Sequence, residues 1–315
     1  MAGLTLVTGA TGFAGSHLVE LLAGREPAIA AWSNPSGTAA SPNDSRIAWQ
    51  AVNLLDRTTV RDAIAALRPS VVYHCAGAAD VGTSWADPVR PLQVNALGTH
   101  HLLEAVRLAG VDATVVLTGS AAVYRASDGP LNEESPIGPS SPYGVSKLAQ
   151  EMLGTQVTSF PVVLTRTFNH AGPRQSSAYV TSSFARQIAE IEAGIAGPVL
   201  SVGNLDARRD VTDVRDTVRA YRLLGERGRP GRPYNICSGH AYRIGDLLEM
   251  LLGHARARVT IASDPARLRR SDNPLILGDP ARVSTDVGWH ATIPIEDTLR
   301  DLLDYWRTRV ATARV

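Results

Sequence analysis

The chain has 315 residues, 44% of them apolar and 19% charged, with a formal net charge of +1. That size and apolar share suit one large domain or two intimate ones around a sizeable core, and the near-zero charge removes any global electrostatic case for nucleic acid or an anionic membrane. Two isolated cysteines, Cys75 and Cys237, form no disulfide framework, the opening MAGLTLVTGATG lacks a signal peptide's basic start, and no run nears the ~20 apolar residues of a membrane helix, so a cytoplasmic, reduced setting is expected. Residues 4–7 predict a short buried strand, followed by a glycine turn and a helix over 16–23. Residues 28–33 read as a second apolar strand and 33–45 as a loop rich in Ser, Pro, Asn and Gly. A strand over 48–52, a helix over 58–67 and a strand over 70–75 follow. A long helix is predicted over 91–109, then a strand over 113–118, a helix over 142–156 and a strand over 162–166. Beyond residue 166 the alternation weakens into helices near 182–193, 214–224, 244–252 and 294–310, separated by Gly/Pro/Arg loops. Short apolar strands alternating with helices predict an α/β fold with a doubly wound parallel sheet of the Rossmann type. The expected division is a cofactor domain over 1–167, to which 207–237 returns, and a smaller mixed α/β lobe over 168–206 and 238–315.

The stretch VTGATGFAG sets Gly9, Gly12 and Gly15 between the first strand and its helix, a G-x-x-G-x-x-G spacing one residue longer than the G-x-G-x-x-G dinucleotide fingerprint. Glycines there let the chain turn tightly and bring its amides, and the positive end of the next helix, close to a pyrophosphate. The alternative is a purely structural tight turn. At the end of the second strand, where NAD sites usually place a carboxylate on the ribose, the chain offers Trp32, Ser33 and Asn34. With no acid to repel a 2′-phosphate, NADP(H) is favoured and NAD(H) allowed.

Of 31 basic residues, 30 are arginine; the single lysine is Lys147. It follows Tyr143 by four residues in SPYGVSK, where Ser141 and Pro142 make a good N-cap and first helical position. Tyr143 and Lys147 therefore share one helix face. An ammonium near the phenol is expected to lower the tyrosine pKa, which suits proton transfer to a carbonyl or alcohol oxygen. The bland alternative is a surface Tyr–Lys pair. Ser120, just past the strand VVLT, is placed to bond the same oxygen; a serine there is otherwise an ordinary turn residue.

With TGATGFAG at 8–15, VNALGT at 94–99, Ser120 and the Tyr143/Lys147 pair in this order, the chain resembles the extended short-chain dehydrogenase/reductase family of NAD(P)-dependent nucleotide-sugar epimerases, dehydratases and reductases. The resemblance spans nearly the whole chain. Within that family TRTFNHAGPRQ (165–175), VGNLDARRDVTDVRD (202–216), YNICSG (234–239) and LRRSDNPLILGDP (268–280) are similar to the GDP-mannose 4,6-dehydratases and GDP-6-deoxy-4-keto-mannose reductases. The resemblance implies Ser120, Tyr143 and Lys147 as catalytic residues supported by Asn95. It implies Gly9, Gly12, Phe13, Ala14 and Gly15 on the pyrophosphate, Ser33 on the ribose side, Asn53 and Leu54 near adenine, and Lys147 on the nicotinamide ribose. It implies Asn169, Arg209, Arg269 and Asp272 on the sugar nucleotide, GDP-linked by preference, and a homodimer built on helices near 95–109 and 142–156.

The dehydratases of this group carry an acid two residues after the serine. Here that position is Ala122, which moves no proton, so 4,6-dehydration is not expected. The expected activity is NAD(P)H-dependent reduction of a nucleotide-linked 4-keto-6-deoxy-hexose at C4, as in GDP-D-rhamnose formation. A 4-epimerase with tightly bound NAD is the alternative, since Ser120-Ala121-Ala122-Val123-Tyr124 reads closer to 4-epimerase wording; a cofactor-sensing regulator is a third reading. No metal is expected: His100–His101 have no third ligand at sensible spacing and read as a solvated or interface pair. His74 and Cys75 read as core, Asn169 and His170 as part of a substrate-side loop with a capping role as the equal alternative, and Glu133–Glu134 as surface charges.

Overall fold

The computed structural model describes residues 3–35, 44–267 and 273–312. The first half runs β1 (Thr5–Thr8), α1 (Phe13–Ala23), β2 (Ile29–Ser33), β3 (Ile47–Ala51), α2 (Arg57–Leu67) and β4 (Val71–His74). Two short helical segments, α3 (Thr83–Ala86) and α4 (Val89–Pro91), precede a π-helical turn at Leu92–Leu97, α5 (Gly98–Leu108), β5 (Thr114–Leu117), α6 (Pro142–Thr155) and β6 (Val162–Thr167). The second half runs β7 (Asn169–Ala171), α7 (Val180–Glu192), β8 (Val199–Val202), β9 (Arg208–Asp213), α8 (Val214–Arg227), β10 (Pro233–Ile236), β11 (Ala241–Arg243) and α9 (Ile244–Gly253). It ends with β12 (Thr260–Ser263), β13 (Leu275–Ile276), α10 (Ala281–Val287) and α11 (Ile295–Thr312).

Seven strands form one parallel sheet in the order β10-β6-β5-β4-β1-β2-β3. Val, Leu and Ile fill these short strands because helices cover both faces. One core packs Leu18 and Leu22 of α1, Val218 and Leu224 of α8, and Val283 of α10 against Val7, Val116 and Val163. The opposite face packs Val60 and Ile64 of α2 and Leu102 and Val106 of α5 against Leu6, Val72 and Val115. The chain winds outward from β1 to β2 and β3 on one side and to β4, β5, β6 and β10 on the other. The carboxyl ends of β1 and β4 therefore flank the switch point, where an open α/β sheet leaves a crevice.

A third core gathers Phe184 and Ile188 of α7, Leu200 of β8, Leu247 and Leu251 of α9, and Leu299 and Leu302 of α11. Beside it β11, β9 and β13 pair, with β7 on β9, and β12 pairs with β8. These short strands give the mixed α/β lobe its sheets, at positions where the sequence marked only helices and loops. The segment 91–109 is likewise not one α-helix: the wider π turn intervenes before α5, a feature often found at functional sites.

Candidate active site

The glycine turn connects β1 to α1. Gly9 has φ +64, and a Cβ on it would lie 2.6 Å from the Ala76 backbone. A Cβ on Gly15 would lie 2.1 Å from the Gly9 carbonyl oxygen. The loop is thus packed backbone on backbone against the residues after β4, which no other residue type allows. Gly12 caps α1 without a side-chain hydrogen bond, so the first-turn N–H groups have no side-chain acceptor there. This cradle fits the pyrophosphate of a dinucleotide. Phe13 stacks on His170 of β7, with ring centroids 5.4 Å apart and planes 7° from parallel, and Ala14 packs on the first core.

Ser33 ends β2, and its carbonyl accepts from Val52 N. Asn53 is exposed, and its side-chain oxygen accepts from Leu55 N at 3.1 Å. Leu54 is buried, its carbonyl 2.9 Å from His101 Nδ1. His101 is itself buried, so of the solvated or interface pair expected at 100–101 only His100 is exposed. The helix turns its second imidazole inward onto that carbonyl.

Ser120, Tyr143, Lys147 and Asn95 converge beyond the ends of β4 and β5. The Ser120 hydroxyl oxygen accepts from Ala122 N at 3.2 Å, which holds the serine at the head of a short 3₁₀ turn. Helix α6 starts as its sequence predicts: Ser141 Oγ accepts from Gly144 N at 3.1 Å and Pro142 opens the first turn. Tyr143 is buried in that turn, with the Ser120 hydroxyl beside it. Burial raises its pKa, and the Ser120 hydroxyl only partly opposes this. The expected lowering by Lys147 is therefore corrected, because the ammonium faces elsewhere. Lys147 Nζ donates to the Thr118 carbonyl at 2.8 Å and to Gln150 Oε1 at 2.6 Å. Burial brings the Lys147 pKa down to about 8.

Asn95 is fully buried in the π turn. Its Oδ1 accepts from Ala78 N at 2.8 Å, while Nδ2 donates to Ala78 O at 3.1 Å and to Ser146 Oγ at 2.8 Å. One side chain thus ties the segment after β4 to α6. Below it, His74 is within 2.7 Å of Thr8 Oγ1 and 2.9 Å of Thr99 Oγ1, and burial lowers its pKa to about 3, so it is a neutral core group. Ser146 and Gln150 escaped the sequence reading. The available signal was helical spacing, since i+3 from Lys147 lies on the lysine's own face.

On the opposite side, Asn169 and His170 form β7 rather than a loop, pairing with Val211 and Thr212. Asn169 is exposed, and its carbonyl accepts from Thr212 Oγ1. Half-buried Arg209 donates through Nη1 to the carbonyls of Arg208 and Asn273, at 2.8 and 2.7 Å. A cleft of about 480 Å³ opens nearby, lined by Asp206, Arg208, His240, Leu275 and Leu277 among others. Arg269 and Asp272 lie outside the described residues. Glu133 is corrected from surface to interior: it is 8% exposed and accepts from Asn235 N at 2.8 Å, whereas Glu134 stays exposed and pairs with Arg282. Among the described residues no group of three or more His, Cys, Asp or Glu could hold a metal ion, and no helix is long and apolar enough to cross a membrane.

A family model described as GDP-mannose 4,6 dehydratase matches residues 6–302. The chain belongs to the GDP-mannose 4,6-dehydratase family. Members of this family and its structural neighbours are NAD(P)-dependent nucleotide-sugar reductases, dehydratases and epimerases of the short-chain dehydrogenase/reductase type. GDP-6-deoxy-D-mannose reductase of Pseudomonas aeruginosa is 37% identical over 310 residues, covering 96% of this chain and 97% of that protein. The structure of RMD from Pseudomonas aeruginosa complexed with NADPH superposes with TM-score 0.85 at 34% identity, covering 98% of this chain and 99% of that one. The UDP-glucose 4-epimerase of Thermus thermophilus, complexed with NAD, gives TM-score 0.83 at 27% identity, covering 96% and 99%. The family fold and the nicotinamide-cofactor setting expected from the glycine turn and the Tyr143/Lys147 pair are thereby met.

Proposed function

We propose that this protein reduces the C4 keto group of a GDP-linked 4-keto-6-deoxy-hexose, with NADPH as the preferred reductant. A nicotinamide dinucleotide bound along the Gly9–Gly15 turn supplies the hydride. Tyr143 gives its proton to the sugar's O4, and Ser120, which lies beside Tyr143, holds that oxygen. The observation that carries the reading is Tyr143 buried in the first turn of α6 beside Ser120, with alanine and no carboxylate at position 122. Reduction needs one proton at O4, which Tyr143 carries at neutral pH; elimination across C5 and C6 needs a further acid or base, which Ala122 cannot be. Lys147 holds the cofactor ribose with an ammonium donor. The absence of a carboxylate at Ser33 and Asn34 supports NADPH over NADH.

The sugar nucleotide lies between the seven-stranded sheet and a substrate lobe formed by 168–206 and 238–315, with Asn169 and Arg209 on its side of the crevice. Arg269 and Asp272 belong to the same binding role by resemblance alone. A homodimer through α5 and α6 is part of the proposal, supported by exposed Leu97, Leu108, Val145 and Met152 on or beside those helices. The relative from Pseudomonas aeruginosa supports the choice of GDP and of a 6-deoxy sugar.

The test is to mix pure protein with GDP-4-keto-6-deoxy-mannose and NADPH and to identify the product. Consumption of NADPH with formation of a rhamnosyl nucleotide is expected; NADPH and NADH both left untouched would refute the reading. A 4-epimerase is the second reading, favoured by Ala122 and the epimerase-like fold. It requires a retained oxidised cofactor, so denaturing the purified protein and identifying any released dinucleotide separates the two.

A further inference from the structure

We propose that Gln150 is a positioning residue that aims the Lys147 ammonium through its side-chain oxygen. The inference rests on the reading of Lys147 as a member of the reactive group. Gln150 is 1% exposed, one turn along α6 from the lysine. Its Oε1 lies 2.6 Å from Lys147 Nζ, while its Nε2 is buried with no hydrogen-bond partner among the described residues. A buried amide N–H left unpaired is costly, and a leucine or methionine would avoid that cost. Turning the amide over would set its N–H against an ammonium and lose the acceptor. The side chain is therefore kept for its oxygen.

An ammonium has three donors. The Thr118 carbonyl beyond β5 takes one and Gln150 takes the second. Two acceptors on different elements fix the direction of the third donor, the one available to a ribose. A single acceptor would let the ammonium swing about Thr118. The titratable groups facing Lys147 are His74 and Cys75, at and just beyond the end of β4; Tyr143 shares its helix, but the ammonium turns from it toward Thr118 and Gln150. His74 is held neutral, and burial pushes the Cys75 thiol up to about 12. Among the described residues no carboxylate pairs with Lys147. Among the described residues Gln150 is the one side-chain acceptor bonded to the ammonium.

The single lysine makes this directly measurable. Protein grown with lysine carrying ¹³C at the ε-carbon gives one side-chain signal, whose shift is followed against pH without substrate or cofactor. Gln150→Met removes the acceptor and is expected to lower the Lys147 midpoint by about one pH unit; Gln150→Glu places a carboxylate there and raises it by a similar amount or more. In the NADPH assay, Gln150→Met should lower kcat at least tenfold with little change in the sugar's KM, and Gln150→Glu should recover turnover in part. Variants that titrate at the wild-type midpoint overturn the proposal. If Gln150→Met does not fold, the isosteric Gln150→Glu decides the question alone. Wild-type protein that titrates as described but leaves NADPH untouched refutes the reductase reading and leaves the Gln150 contact standing.

Discussion

Lys147→Arg asks why a chain with 30 arginines keeps one lysine. The site leaves little room: Lys147 is 6% exposed, its Nζ donates to Thr118 O and Gln150 Oε1, and a Cβ on Gly77 would lie 3.7 Å from that nitrogen. A guanidinium is larger and planar, with donors in a rigid fork. Forcing it into this space costs about 1–3 kcal/mol of overpacking, which for a protein of this size lowers the melting temperature by about 2–4 °C. The fold should survive. Turnover should not, because a displacement of about 1 Å in the positioned group costs on the order of 100-fold in rate. Circular dichroism melting and steady-state NADPH oxidation measure the two quantities on one preparation. A variant with wild-type kcat would show that charge alone suffices at position 147 and refute the steric argument.

Removing the hydroxyl in Tyr143→Phe should reduce kcat by about 10²–10⁴-fold with little change in stability, since Ser120 keeps its hydrogen bond from Ala122 N; a kcat within twofold of wild type would exclude Tyr143 as the proton donor. Glu151→Gln breaks a buried ion pair in which Arg166 bonds both carboxylate oxygens at 2.9 and 2.6 Å, and should lower stability by about 3–5 kcal/mol, seen as a lower urea midpoint. An unmoved midpoint would contradict it. His17 sits against the Pro173 carbonyl, and burial lowers its pKa from 6.5 to about 4. Between those values the unfolded chain binds a proton that the folded chain refuses, so stability falls as pH drops through that window, by up to about 1.4 kcal/mol per pH unit. Urea unfolding of His17→Gln at several pH values should show a shallower acid-side slope than wild type; equal slopes would assign the loss to other groups.

Much of the large sheet was legible because its strands are short, centred on apolar residues and separated by loops and helices that the sequence marks. The N-terminus of α6 was legible for a local reason, the Ser141–Pro142 cap. The small sheet around β9 was not, since Arg208, Arg209 and Asp210 do not look like a strand interior until β7, β11 and β13 surround them. Glu133 reads as a surface charge because its partner, the Asn235 amide, lies about a hundred residues away in the chain. For the same reason the tyrosine pKa was misjudged. Helical spacing places Lys147 on the face of Tyr143, but Thr118 and Gln150 decide where the ammonium points, and burial then outweighs it. The π turn that carries Asn95 has no sequence signal of its own.

In the proposed reaction hydride is delivered to C4 and Tyr143 protonates O4. Its most direct test uses NADPH deuterated at the transferring position, GDP-4-keto-6-deoxy-mannose and the wild-type protein, with the product sugar examined by NMR. One deuterium at C4 of a 6-deoxy hexosyl nucleotide, with none elsewhere on the ring, is the predicted result. Deuterium retained in the cofactor, or a C4 hydrogen drawn from solvent, would contradict it.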